Sequence, residues 1–251
     1  MHPFAKLTIG LLVATLFVGE TDGQETTEDL LQQAAQAAQR GASQQAITLL
    51  SDVIAKDPKH ADAWYLRGRE HFKIGKVKES VADFDKLVEL RPDLASRQWE
   101  RGISCYYAGE YEKGARQFEL YQTYHDQDVE NSAWRYLCVA RSEDIDKARQ
   151  TLLLIENDRR VPMMEIYALF QGKLTPEDVL KTAEGGDPIK EQLNIRLFYA
   201  HLYIGLWHDA AGKAELAKKH ILEAEKHRIG HYMWDVAHVH AERLRAAEEK
   251  K

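Results

Sequence analysis

Apolar residues recur at helical spacing along most of the chain, in segments separated by single glycines. In one well-defined stretch, residues 63–73 and 78–90 carry apolar side chains every three or four positions, and Gly75 lies between them. This spacing is typical of amphipathic helices that bury one face. Convincing alternation of apolar and polar residues, which would indicate a strand, is not found. The pattern predicts an all-α protein.

The pattern repeats every 34 residues over the first half of the chain. Glycines, prolines, bulky apolar residues and small residues each recur at this interval. The coinciding positions are Gly41, Gly75 and Gly109; Pro58 and Pro92; Leu50, Phe84 and Phe118; Ala46, Ser80 and Gly114; and Ala34, Gly68 and Gly102. Such a period indicates an array of helix pairs, because one pair cannot bury its apolar face alone.

Each repeated residue type has a mechanical role. Gly75 follows the first helix of its pair, where a chain often takes positive φ. Gly68 lets that helix approach the second closely, and Phe84 is expected to fill the seam. Pro92 ends the second helix, because proline disfavours helical geometry in the residue before it.

These residues resemble the tetratricopeptide repeat (TPR) family. Residues 61–94 form the best unit, and residues 27–60, 95–128 and 198–231 match less fully. The resemblance implies a TPR-like α-solenoid of stacked helix pairs, with three units in 24–128 and a fourth unit plus capping helix in 198–251. Between them, 129–197 is a degenerate helical segment. The helices expected there are 132–141, 144–156, 162–170 and 176–184.

The order of these parts also resembles NlpI-type periplasmic lipoproteins, which are TPR adaptors. The resemblance covers about residues 61–240 and rests on segments such as SAWRYL and EIYALFQGKLTPEDVL. It implies a non-catalytic adaptor that recruits an envelope protease or hydrolase and that dimerises. The lipobox cysteine of that family is absent here, so attachment through a lipid does not carry over.

The first 23 residues are predicted to be a secretory signal peptide. Lys6 precedes the apolar run LTIGLLVATLFV, which is too short for the roughly 20 residues of a membrane-spanning helix. Thr21 and Gly23 suit cleavage after Gly23, and an uncleaved anchor is the alternative. We expect an exported protein, periplasmic or extracellular, with no integral membrane segment after cleavage.

Net charge and the absence of known catalytic motifs reduce the number of possible functional classes. The formal net charge is −6, from 34 basic and 40 acidic residues, which argues against nucleic acid as a partner. Phosphate loops, nucleophile elbows and zinc-protease motifs are not found, so no catalytic residue, metal ligand or cofactor is predicted. Cys105 and Cys138 are expected to be buried thiols, with a disulfide between them as the alternative. The TPR resemblance implies that they lie on the first helices of successive units.

Five histidines lie within 21 residues near the C-terminus, namely His220, His227, His231, His238 and His240. The favoured interpretation is a structural or surface role. Metal binding or an enzymatic centre in this cluster is the alternative from another functional class, because His227 and His231 would share a face if the chain were helical there.

The predicted functional site is the concave groove that first helices line in TPR arrays. The resemblance assigns to this groove an aromatic and cationic set suited to an extended peptide or partner protein. The alternatives are that these side chains pack against a neighbouring helix, or that a homodimer fills the groove with its own N-terminal helix. The partner-binding set is Tyr65, Arg69, Phe72, Lys73, Trp99, Ile103, Tyr106 and Tyr107.

Overall fold

The computed structural model describes residues 25–249, which contain thirteen α-helices and one short 3-10 helix. The predicted signal peptide lies outside the described residues. Successive helices pack as antiparallel pairs that stack side by side. The helices are α1 Thr27–Gln39, α2 Ser43–Lys56, α3 Ala61–Lys73, α4 Val77–Leu90, the 3-10 helix Pro92–Arg97, α5 Trp99–Ala108, α6 Tyr111–Gln122, α7 Val129–Ser142, α8 Ile145–Gln150, α9 Met163–Phe170, α10 Pro176–Glu184, α11 Lys190–Ala210, α12 Ala214–Lys226 and α13 Tyr232–Glu248.

Glycines of the 34-residue period make the turns within pairs. Gly41, Gly75 and Gly109 have φ angles of 74°, 75° and 81°, and Gly212 takes 70° between α11 and α12. These values lie in the left-handed region, which residues with a Cβ rarely adopt. The turn chemistry that the sequence predicts is therefore present in the first three pairs and in the late pair.

Small residues of the first helices lie against the second helices, as expected. A Cβ on Gly102 would lie 2.6 Å from the ring of Phe118, and one on Gly205 would lie 2.8 Å from Ile221. Both partners are fully buried. The close approach of paired helices thus depends on the missing side chain.

An arginine column follows the same period. Arg67 donates to Asp83 and Ser51, and Arg101 donates to Asp85 and Gln117. Arg135 on α7 likewise reaches Glu119, at 2.8–3.0 Å, and the carbonyl oxygen of Thr151. Each guanidinium therefore bridges the second helix of the preceding pair to the chain that follows its own helix. The column continues one step beyond the three predicted units.

The middle segment is less helical than expected. Helix α8 ends at Gln150, although the pattern favours helix to residue 156. Ser132 and Tyr167 donate to the carbonyl oxygen of Leu153 at 3.0 and 3.1 Å. These tertiary hydrogen bonds hold the backbone carbonyl in a non-helical conformation. None of the described helices, within residues 25–249, is long and apolar enough to cross a bilayer.

Helix α10 begins with a side-chain cap at Thr175. The Thr175 hydroxyl accepts a hydrogen bond from the Asp178 amide, and the Asp178 carboxylate accepts one from the Thr175 amide. We expect Thr175→Ala to lower the free energy of unfolding by about 1 kcal/mol, since a first-turn amide loses its acceptor. Urea denaturation measures this. Thr48→Ala, the same change at an exposed position inside α2, is the control and should cost nothing. Equal losses would contradict a capping role.

Candidate functional site: the concave face

The eight predicted groove residues fall into two groups. Phe72, Ile103, Tyr106 and Tyr107 are buried, with at most 5% of their surface exposed. Tyr65, Arg69, Lys73 and Trp99 are half-buried. The groove along α3 and α5 is therefore not an open aromatic trough of eight residues. Partner binding by these residues stays a prediction.

The C-terminal helix α13 fills this part of the groove. Its Tyr232 ring lies 5.5 Å from both Phe72 and Trp99, and the Arg69 guanidinium lies 4.8 Å from the same ring. His231, which caps α13, stacks on Trp99 at 6.0 Å. The sequence analysis predicted a helix that caps the end of the stack. The helix instead packs against the second and third pairs.

Polar contacts fix the next turns of α13. Tyr107 and His240 share a hydrogen bond of 3.0 Å between the hydroxyl and Nδ1, and Arg243 donates to the Tyr107 carbonyl oxygen at 2.8 Å. Burial lowers the pKa of His240 to about 4. The imidazole is therefore neutral at pH 7 and forms part of the core.

The neutral His240 makes stability depend on pH. An unfolded histidine titrates near 6.5, so as pH falls below that value the unfolded state takes up a proton first. The free energy of unfolding should decrease as pH falls through the range from about 6.5 to about 4. His240→Gln should remove about 2 kcal/mol of the loss between about pH 7 and pH 5.

Urea denaturation across this range tests the effect. His125→Gln, at an exposed site, is the control and should keep the wild-type pH dependence. Burial also lowers the pKa of His201 to about 4, so the His240→Gln slope should shrink without vanishing. An unchanged slope in His240→Gln would contradict the prediction.

A cavity of about 180 Å³ remains on the concave face beside Trp99. It lies where α5, α6 and the start of α7 meet α11 and the start of α13. Aromatic side chains and charged groups share its walls. The lining residues are Trp99, Phe118, Tyr121, Asp128, Glu130, Asn131, Trp134, Arg160, Tyr199, His231 and Met233.

One guanidinium holds three carboxylates at the wall of the cavity. Arg160 donates to Asp128 at 2.7 Å, to Glu130 at 2.6 Å and to Asp158 at 2.6 and 3.0 Å. Tyr203 donates to the second oxygen of Glu130 at 2.8 Å. Three carboxyl groups thus surround one guanidinium.

The pKa values reflect this imbalance. Burial, and next the charge of Asp128, raise the pKa of Glu130 despite the adjacent Arg160. Burial opposes ionisation of Asp158 as well, but hydrogen bonds from Arg160 outweigh it and lower the pKa of that carboxyl. Burial lowers the pKa of His231, so its ring adds no positive charge at neutral pH.

Two buried polar atoms of lining residues have no hydrogen-bond partner within residues 25–249. They are Asn131 Oδ1 and Trp134 Nε1, on side chains that are 3% and 1% exposed respectively. The Asn131 amide nitrogen donates to the Phe118 carbonyl oxygen and to Gln122 Oε1. Both are acceptors, which fixes the amide orientation and leaves its oxygen free.

The late histidines do not converge on one centre. His220 Nδ1 lies 3.0 Å from Nδ1 of His201, and His227 contacts Asn194. Residues 228–231 are not helical, so the shared face expected for His227 and His231 does not form. His238 does not join the other histidines either, but it lies close to two carboxylates.

That trio is Glu225, His238 and Glu242, with ligand atoms within 4.8 Å of one another. Arg245 donates to Glu225 at 2.5 and 3.2 Å and to Glu242 at 2.6 Å. A guanidinium thus already occupies the place of a cation between the two carboxylates.

Cys105 and Cys138 are free and buried. They lie near each other, because a Cβ on Gly114 would contact Cys138 Sγ at 2.8 Å and Cys105 Cβ at 3.4 Å. Burial raises the pKa of the Cys105 thiol to about 11 and that of Cys138 well above its usual range. The thiols are protonated at neutral pH, which suits a packing role.

Comparison with solved structures shows which class of fold this is. A tetratricopeptide repeat protein from Parabacteroides merdae has a TM-score of 0.56 and 14% identity, over 87% of this chain and 85% of that chain. MamA from Desulfovibrio magneticus has a TM-score of 0.50 and 14% identity, over 80% and 93%. At these identities the fold alone is shared. The chain has an all-α, TPR-like fold.

Two curated proteins share short segments with the chain. Human mitochondrial import receptor subunit TOM70 is 38% identical over 50 residues, which are 20% of this chain and 8% of that protein. The SGT1 homolog of Oryza sativa subsp. japonica is 31% identical over 75 residues, which are 30% and 20%. The chain thus matches at most a fifth of these relatives' length. No protein-family model matches, and none of these relatives supports the resemblance to NlpI-type lipoproteins.

The sequence analysis did not identify most of the residues that line the cavity. Trp99 is shared between the predicted groove and the cavity, but Arg160, Tyr199 and the acids of α7 were not assigned to a site. These residues lie in the segment that lacks a visible 34-residue period or at its borders. The charged run from Asp158 to Arg160 was the one available signal.

Proposed function

We propose that the protein is a non-catalytic adaptor that binds a partner polypeptide on its concave face. A TPR-like scaffold is suited to protein interaction, and the observation that carries the proposal is the aromatic and charged cavity left open beside α13. Aromatic side chains dominate binding energies at interfaces because they bury much area at low entropic cost. An extended peptide can place one side chain in such a cavity.

A displayed library of random extended peptides tests this function. Enriched peptides should bind the wild-type protein, and Tyr199→Ala should weaken them at least tenfold by removing a wall of the cavity. Tyr124→Ala is the matched control, because its half-exposed ring does not line the cavity. Enrichment of no peptide, or equal weakening by both variants, would contradict the proposal.

The cellular setting is a further part of the proposal and rests on the sequence. An exported protein of this class could recruit an envelope protease or hydrolase, or dimerise. Fractionation of cells and N-terminal sequencing of the exported chain test this: a mature chain beginning at Gln24 supports it, whereas a full-length cytoplasmic chain contradicts it.

Metal binding is the second candidate function, favoured by the Glu225, His238 and Glu242 trio. Zinc titration of the purified protein tests this second function. Arg245→Met should raise zinc affinity if Arg245 competes for these carboxylates, and no binding to wild type or variant would exclude the trio.

A further inference from the structure

The cavity beside Trp99 has a charge and shape that select one kind of ligand group. This inference rests on the proposed function, because it concerns the polypeptide that would occupy the concave face. The argument depends on the carboxylates around Arg160, the free acceptor of Asn131 and the aromatic walls.

An anionic group is disfavoured by the electrostatics. Among residues 25–249, Arg160 is the one cation that lines the cavity, and its guanidinium already donates to Asp128, Glu130 and Asp158. A ligand carboxylate would have to approach these three acids with little guanidinium donor capacity left. A cation instead reduces the excess negative charge.

Neighbouring cations do not reverse this balance. Arg69 is close to His231 but does not line the cavity. The carboxyl groups of Glu100 and Asp235 lie near the Arg69 guanidinium. The charged groups that line the cavity are Asp128, Glu130 and Arg160, and Asp158 is bound to Arg160 at 2.6 Å.

The walls suit a cation that carries an apolar stem. Trp99, Tyr121, Trp134 and Tyr199 present aromatic rings, which attract cations through their faces once water is excluded. A cavity of about 150 Å³ admits benzene, so 180 Å³ accommodates a stem of four methylene groups. Asn131, which lines the cavity, holds one buried acceptor without a hydrogen-bond partner, and a single acceptor suits a compact ammonium better than the five donors of a guanidinium.

We infer that the cavity is a specificity pocket for a lysine side chain of the bound polypeptide, with the ammonium group near Asn131 and the Asp128–Glu130 carboxylates. The stem would pack between the rings of Trp99 and Tyr199. The pocket therefore selects for positive charge at one position of the partner.

Three amino acids with blocked backbone termini serve as probes. They are Nα-acetyl-lysine methylamide with a free side-chain ammonium, the norleucine analogue with the same stem but no ammonium, and the glutamate analogue. The indole N–H resonance of Trp134, assigned with Trp134→Phe, reports occupancy by NMR. The lysine probe should shift this resonance and bind about tenfold more tightly than norleucine, as expected for a desolvated cation on aromatic faces. Glutamate should produce no shift.

Asp128→Asn tests the charge without removing the cap of α7, because asparagine also accepts from the Glu130 amide. It should weaken the lysine probe about threefold to tenfold and leave norleucine unchanged. Glu112→Gln, on the exposed face of α6, is the matched control and should change neither.

The inference would be overturned if lysine produced no shift of the Trp134 resonance, or if norleucine or glutamate bound as tightly as lysine. Library peptides that bind the wild type without a preference for lysine would do so too, while leaving the adaptor function intact. If no library peptide binds the wild-type protein, that result counts against the adaptor function itself.

Discussion

Replacing Tyr232 with alanine is expected to lower the free energy of unfolding by about 4 kcal/mol, in the range for large buried aromatics. The ring is 3% exposed and contacts Phe72, Trp99 and the Arg69 guanidinium, so its removal leaves a cavity between α13 and two other helices. Urea denaturation gives the loss. Hydrogen exchange should show that α13 loses protection before α1 and α2.

Tyr232→Phe is the matched control. The Tyr232 hydroxyl is buried and has no hydrogen-bond partner within residues 25–249, so the ring can lose it without breaking a bond. We expect this variant to be as stable as the wild type or slightly more stable. If Tyr232→Ala costs less than about 1 kcal/mol, α13 does not hold the groove closed as the structure indicates.

The second large effect is expected for Gly102→Ala, with a loss of about 3 kcal/mol. Helix propensity alone would favour alanine by about 1 kcal/mol. Packing reverses the sign, because the new Cβ would lie 2.6 Å from Phe118 Cζ. That ring is 1% exposed and stacks on Trp134, so it cannot move aside without repacking the core.

Gly68→Ala provides the comparison at the equivalent position of the preceding unit. There the nearest atoms, in Asp83 and Phe84, are 3.3 Å from the added Cβ, and a small adjustment suffices. We expect a loss of less than about 1 kcal/mol. Adding Phe118→Leu to Gly102→Ala should cost less than the two single changes together. Equal losses at Gly68 and Gly102 would show that ring contact does not decide the effect.

Local chemistry explains why much of the fold was predictable. The positive φ of Gly75, the missing side chain of Gly102 and the cap at Thr175 are requirements of single turns or helix pairs, and each appears in the sequence. Residues 151–156 were predicted wrongly as helix because distant side chains, such as Tyr167, bind their carbonyl groups. No local pattern records those contacts.

The candidate site was predictable only in part for a related reason. Which first-helix residues face the concave side follows from helical spacing, and Trp99 does line the cavity. Whether Phe72 or Tyr107 is exposed depends on α13, which lies more than 100 positions later in the chain. The Arg160 cluster similarly joins the start of α7 to a loop about 30 residues away.

By itself, the sequence determined the stacked helix pairs, because a 34-residue period of glycines and bulky residues meets the needs of neighbouring helices and nothing beyond them. The tertiary structure alone decided which part of the concave face stays open. The packing of Tyr232 against α3 and α5 buries one end of the groove, and the convergence of Arg160, Asn131 and Tyr199 forms the remaining cavity. Contacts between such distant segments follow from the path of the whole solenoid, which no short-range pattern encodes.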